Sequence, residues 1–300
     1  MGRFALFCVA IAAVGCGRID FDPFGGGGGG GGGDGAIGDG AGPDACAQSA
    51  WSTPVELSAT INAGTTNWEP ALRRDGQMLV YGRDAAVATL YAATGNPVDG
   101  YATPMAILQS VNSNGGPAWT PAGDQLFFVS DRLTKNSFRL YTSDFDGTSF
   151  ATPVAVTELA GQEVDGPTIS STGLEMFYNA GSGNGATLRR ATRAGAGAAW
   201  QDLGAVDSLN SGTTDGWATL TDDDLTIYWE SQRTNTGGSI YVATRPQVGA
   251  DFINPTQVPV LSDDTDGGDP EISGDGKTIM FASTRDGGMP NIFMSTRACP

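Results

Sequence analysis

From Trp51 to the C-terminus, short apolar runs alternate with turns rich in Gly, Asp, Ser and Asn, and no stretch carries an apolar stripe at helical period. Five runs stand out: Met78–Tyr81, Leu126–Val129, Glu175–Tyr178, Leu225–Tyr228 and Thr278–Phe281. Each is four residues of mostly β-forming side chains with little alternation, which predicts a strand covered on both faces. A tight turn precedes each run, as at Asp75-Gly76, Thr172-Gly173 and Asp275-Gly276, where Gly accepts positive φ and Asp bonds nearby backbone. Before each turn lies a further short strand beginning near Glu69-Pro70, Gly116-Pro117, Gly166-Pro167, Trp217-Ala218 and Asp269-Pro270. A third strand follows each apolar run, at Leu90-Tyr91, Leu140-Tyr141, Leu188-Arg189, Ile240-Tyr241 and Ile292-Phe293.

The steps between the five units, counted from Pro70, are 47, 50, 51 and 52 residues, the period of a stacked or radial array. A fourth strand has its own mark, aromatic-x-x-Pro-x-x-aliphatic, at Tyr101…Ile107, Phe150…Val156 and Phe252…Val258, with a Pro-less copy at Trp200…Val206. The fifth copy, Trp51…Leu57, stands before the first unit, while the last unit has none. A closed ring makes both ends whole, whereas an open stack leaves two unpaired edges. The expected fold is therefore all-β: a five-bladed β-propeller with four antiparallel strands per blade, the N-terminal strand closing the last blade. The aromatics Trp51, Trp200 and Phe252 recur once per blade and are expected to pack the outer strand rather than bind a ligand.

The N-terminal stretch is of another kind. Residues 1–16 carry one positive charge, Arg3, then an apolar run from Phe4 to Val14 that suits the h-region of an export signal and is too short to span a bilayer as a helix. The run ends Ala13-Val14-Gly15-Cys16, which resembles the lipobox of bacterial lipoproteins. That resemblance implies lipidation of Cys16, and Gly17 in place of the inner-membrane retention Asp points to an outer-membrane address. Residues 17–45 include nine consecutive glycines, Gly25–Gly33, and are expected to form a disordered tether between anchor and propeller at 46–300. About 30 residues of such coil reach roughly 30 Å.

Composition narrows the chemistry. Net charge is −17 and there is no histidine, so nucleic acid and anionic membrane surfaces are unsuitable partners, and His-based triads and most zinc sites are excluded. Beyond Cys8 in the signal and Cys16, the cysteines are Cys46 and Cys299, one before the N-terminal strand and one after the last third strand. Antiparallel pairing of those strands would bring them together, so a Cys46–Cys299 disulfide is expected in an oxidising compartment.

The stretch Asp269-Pro270-Glu271-Ile272-Ser273-Gly274-Asp275-Gly276-Lys277, followed by Ser283-Thr284-Arg285-Asp286-Gly287 and Asn291-Ile292-Phe293, resembles the WD40-like repeat of TolB-type propellers. The second unit inverts Asp-Gly to Gly123-Asp124, and the third, Asn179-Ala180-Gly181, lacks Ser-x-Arg-Asp. The resemblance covers about 230 residues and implies a scaffold; TolB-type proteins also carry an N-terminal domain with no counterpart here.

The loops entering each innermost strand gather at one face around the axis, and those after the second strands share it. They carry Trp68, Glu69, Asp165, Asp215, Trp217 and Asp269, and Arg83, Arg132, Arg233 and Arg285. Three uses compete: an inter-blade network of Arg and carboxylates, a Ca²⁺-holding mouth without any twelve-residue Ca²⁺ loop, and paired carboxylates for glycoside hydrolysis. No catalytic residue is assigned and no cofactor beyond Ca²⁺ is considered. The expectation is a monomeric, non-enzymatic binding module for a protein or an envelope glycan, touching membrane only through its anchor. A carbohydrate-active enzyme using the axial carboxylates is the other reading.

Overall fold

The structure is a computed structural model that describes residues 46, 49–64, 66–84, 86–159, 163–181, 185–234, 237–262 and 267–298. The expected export signal (1–16) with Cys16, the expected tether (17–45) and Cys299 lie outside the described residues.

Five antiparallel sheets form the blades of a five-bladed β-propeller. In the first blade the strands run Asn67–Leu72, Met78–Arg83, Thr89–Asn96 and Met105–Ile107, from axis to rim, with a short extra strand Gly100–Tyr101 on the third. Blades two to four repeat the plan, their innermost strands being Asn114–Trp119, Val164–Ile169 and Asp215–Leu220. The fifth blade has Gly267–Ile272, Thr278–Ser283 and Asn291–Thr296 from the C-terminus, and its outer strand is Val55–Glu56 from the N-terminus. Val55 pairs with Met294 and Glu56 with Phe293, so the ring closes where the displaced outer-strand motif places the seam. Asn62 extends the pairing, donating to Ile292 O at 3.0 Å and accepting from Ile292 N at 2.8 Å. Cys46 is disulfide-bonded and its sulfur lies 3.8 Å from Asp275 O, in the turn of the same blade.

The middle strands are buried because each blade is sandwiched between two others. Five hydrophobic clusters fill the gaps, one per blade interface. Tyr81 and Leu79 of the first blade meet Met280 and Ile292 of the fifth, and Trp119 and Phe128 of the second meet Val80 of the first. The once-per-blade aromatics belong to this packing. Trp200 and Phe252 are buried, and Trp51 reaches across to the fourth blade to lie edge-on to Tyr228, ring centroids 6.2 Å apart.

A second repeating element locks the outer edge. Arg193, Arg245 and Arg297 follow the third strands of blades three to five. Each donates Nε to the carbonyl of the turn before the second strand: Gly173 at 2.7 Å, Asp224 at 2.7 Å and Gly276 at 2.6 Å. Each also lays its guanidinium over the outer-strand aromatic, Trp200, Phe252 or Trp51, at 4.4 to 4.7 Å. Stacking of a planar cation on an aromatic face holds the rim strand to the blade.

Candidate functional site

All five innermost strands carry a β-bulge at the same place. Register shifts between Trp68 and Ala71, Gly115 and Ala118, Asp165 and Thr168, Gly216 and Thr219, and Gly268 and Glu271. At the bulge one residue per blade takes left-handed φ: Glu69 at 54°, Gly116 at 51°, Gly166 at 47°, Trp217 at 49° and Asp269 at 55°. Glycine meets this requirement without strain. Three of the five positions nevertheless hold side-chain-bearing residues, each at a cost on the order of 1 kcal/mol or more. The extra residue turns these five positions toward the axis at the end where the strands begin.

The bulge amides find side-chain acceptors around the ring. Glu69 N donates to Asp269 Oδ2 (3.2 Å), Gly116 N to Glu69 Oε2 (2.5 Å), Gly166 N to Asp165 Oδ1 (2.9 Å) and Trp217 N to Asn179 Oδ1 (2.8 Å). The Trp68 indole also donates to Glu69, and its ring lies against Gly82, where a Cβ would stand 2.6 Å from the indole nitrogen.

The electrostatics at this ring are one-sided. Glu69 is buried, and burial first, then the negative charges of Asp165 and Asp269, hold its pKa well above the usual carboxylate range against the bonds from Gly116 and Trp68. Asp165 is pushed up to about 7, chiefly by burial, opposed by the Gly166 N–H and reinforced by Glu163. Asp165 keeps partial access to water. Among the described residues no three His, Cys, Asp or Glu side chains are arranged to hold a metal ion.

The opposite end of the axis is closed. Arg74 in the turn of the first blade pairs with Asp222 in that of the fourth, two blades that are not neighbours. Glu271, fully buried, accepts from Leu72 N at 3.3 Å and from Thr219 Oγ1 at 3.2 Å.

Of the residues expected at the site, Trp68, Glu69, Asp165, Trp217 and Asp269 gather at the axis. Asp215 does not join them: it is buried in its own loop, accepting from Ser211 Oγ (2.6 Å), Arg233 (3.0 Å) and the Trp229 indole (3.4 Å). The four arginines form a repeated clamp instead of a ligand-facing array. Arg132, Arg233 and Arg285 donate Nε to the serine two residues before, Ser130, Ser231 and Ser283, at 2.8 to 3.2 Å. They also reach the carbonyls of Leu108, Leu209 and Leu261 and lie over the aromatics of their own blades. Arg83 does the same with Asn67 Oδ1 (2.9 Å) and Ile61 O (2.7 Å), over Tyr91.

Asn179 is the axial residue that the sequence reading passed over. It sits opposite Asp165 on the second strand of the third blade, fully buried, in the blade that lacks the arginine. Its Nδ2 and the Trp217 Nε1 are buried donors with no acceptor, and both converge on Gly166. A methyl built on Gly166 would lie 2.9 Å from Nδ2 and 3.2 Å from Nε1. The signal was available: an amide side chain ends an otherwise apolar buried strand, Glu175-Met176-Phe177-Tyr178-Asn179.

Fold and axial ring together define a five-bladed β-propeller with a polar mouth at one end of a closed axis. No protein-family model and no curated protein sequence matches the chain. Among solved structures it is similar to TolB from Acinetobacter baumannii, with 18% identity, a TM-score of 0.50 and coverage of 75% of this chain and 53% of that one. It thus spans about half the length of that relative. It is also similar to the gluconolactonase XC5397 from Xanthomonas campestris, with 11% identity, a TM-score of 0.50 and coverage of 83% and 97%. Both likenesses concern the fold, one shared by a Tol protein and an enzyme.

Proposed function

We propose that the axial mouth is a binding site, and that the chain serves as a non-enzymatic, lipid-anchored binding module for a protein or envelope component. One observation carries this: the mouth combines left-handed side-chain-bearing residues, buried carboxylates and orphan donors, while the other end of the axis is tied shut. Strain and unsatisfied polar groups cost stability and persist where a ligand repays them. An exported, Cys16-anchored chain on a Gly-rich tether would present this mouth to the envelope, and the resemblance of its N-terminus to a lipobox supports that address. The test is recovery of bound partners from envelope extract by wild type and by Glu69→Gln/Asp165→Asn. Loss of a specific partner in the variant is expected; identical recovery by both forms counts against the reading.

A second reading has its own support in the two axial acids. Burial raises Asp165 to about 7 and lifts Glu69 well above the usual carboxylate range, and carboxylic acids with raised pKa are what general acid–base chemistry on glycosidic bonds uses. Turnover of a cell-wall or plant polysaccharide that disappears in Asp165→Asn would favour it over the binding role.

A further inference from the structure

The mouth asks for a ligand with two different ends. The neighbouring charges that bear on Glu69 and Asp165 are all negative: Asp165 and Asp269 on the first, Glu163 on the second. The arginines that enter the same face are turned into the blades and stacked on aromatics. A cation brought by the ligand would therefore be attracted by this ring and by the net charge of −17. On the third-blade side the demand is reversed, since Asn179 Nδ2 and Trp217 Nε1 both need an acceptor. The amide cannot serve better by flipping, because its oxygen is held by Trp217 N at 2.8 Å.

Simple candidates satisfy one half each. A metal ion or an alkylammonium answers the carboxylates and leaves the two N–H groups orphaned. A neutral sugar hydroxyl answers the N–H groups and leaves the charge unmet. A polypeptide amino terminus carries an ammonium and a carbonyl oxygen on the same residue, and capture of such termini by convergent polar groups is an established mode of recognition.

We propose that the axial mouth captures the free amino terminus of a polypeptide, its ammonium among Glu69, Asp165 and Asp269 and its first carbonyl accepting from Asn179 Nδ2 and Trp217 Nε1. The proposal rests on the reading of the mouth as a protein-binding site. Trp217 lies over Gly166, both at left-handed φ. Asp165, faced by Glu69 from the first blade and Glu163 from its own loop, must be ionised to hold the ammonium, so affinity rises between pH 5 and 7.5.

The test is calorimetric titration of the full chain with Ala-Ala-Ala-amide, its N-acetyl derivative, propylamine and CaCl₂. The free-amino peptide is expected to bind at pH 7.5 at least tenfold more tightly than the other three, and at least tenfold more weakly at pH 5. Trp217→Phe keeps the ring and deletes one donor, and should weaken peptide binding about tenfold while leaving the thermal midpoint near wild type. Equal binding of the acetylated peptide, CaCl₂ binding without peptide binding, or an unchanged Trp217→Phe affinity would overturn the proposal. If no peptide binds while an envelope partner is still lost in Glu69→Gln/Asp165→Asn, the amino-terminus inference falls and the binding role stands. If neither occurs, both fall.

Discussion

Asn179 stands directly across its strand pair from Asp165, and its amide oxygen takes the backbone N–H of Trp217 in the next blade at 2.8 Å. One side chain thus couples an acidic residue of the third blade to a strained residue of the fourth, at the axis. Gly216 leaves room for it, since a Cβ there would collide with the Asn179 amide.

That crowding gives a first prediction. Gly166→Ala places a methyl 2.5 Å from the Trp217 ring at a φ of 47°, and should cost about 1–3 kcal/mol. Gly197→Ala, at φ 75° in open space, carries only the backbone penalty, on the order of 1 kcal/mol. Urea denaturation of both variants measures the difference; equal losses would mean that the axial contact is not tight.

Asp165 makes stability depend on pH in an unusual direction. Its folded pKa, about 7, lies above the 3.8 of an ordinary aspartate, so between these pH values the unfolded chain releases a proton that the folded one keeps. Stability contributed by this group is therefore full below about pH 4, falls as pH rises to about 7, and is flat above. Asp165→Asn removes the slope and should be more stable than wild type at pH 7.5 by on the order of 1–2 kcal/mol, part of the shift being screened because Asp165 is partly exposed. Thermal midpoints from pH 4 to 8 check this.

The Arg245–Glu175 pair should behave as a buried ion pair whose halves cannot be separated. Arg245 is fully buried, donates to both Glu175 oxygens at 3.2 and 2.6 Å, and also holds Asp224 O. Arg245→Ala is expected to cost about 3 kcal/mol, because buried Glu175 is left with the partly exposed Arg190 as its counter-ion and Asp224 O loses its donor. Arg285→Ala, at the wetter face, should cost clearly less in the same denaturation assay.

Ring closure gives a further prediction. Cys46 is disulfide-bonded beside the fifth blade, and Cys299, which lies outside the described residues, is the partner expected from the sequence. Closing so long a loop contributes up to about 4 kcal/mol in the chain-entropy model. Cys46→Ser should lower stability by about 2–4 kcal/mol, and reductant should lower the wild type to the same level. A wild type indifferent to reductant would show that the seam strand alone closes the ring.

The sequence made the architecture legible because each blade repeats it, and because the displaced outer-strand motif at Trp51 has only one place to go in a ring. The seam at Val55–Met294 is where that motif predicts it. The site was half legible. Glu69, Asp165 and Asp269 could be placed at the axis from their position before each innermost strand. The arginines shared that position, yet the aromatic rings and backbone carbonyls beside them claim their guanidinium groups. The recurring Thr-Arg at Thr192-Arg193, Thr244-Arg245 and Thr296-Arg297 was there to be read as a rim lock, but its partner carbonyls lie some 20 residues away. Asn179 was masked because a strand that departs from its repeat reads as decay until its neighbours are known.

The most direct test of the axial role is photo-crosslinking in the native envelope, with a crosslinking residue at exposed Thr213 beside the mouth, at Thr148 on the opposite face, or at Val154 on the rim. The account predicts a discrete adduct from position 213 alone, abolished by Glu69→Gln/Asp165→Asn. Adducts arising only from positions 148 or 154, indifferent to the axial substitutions, would contradict it.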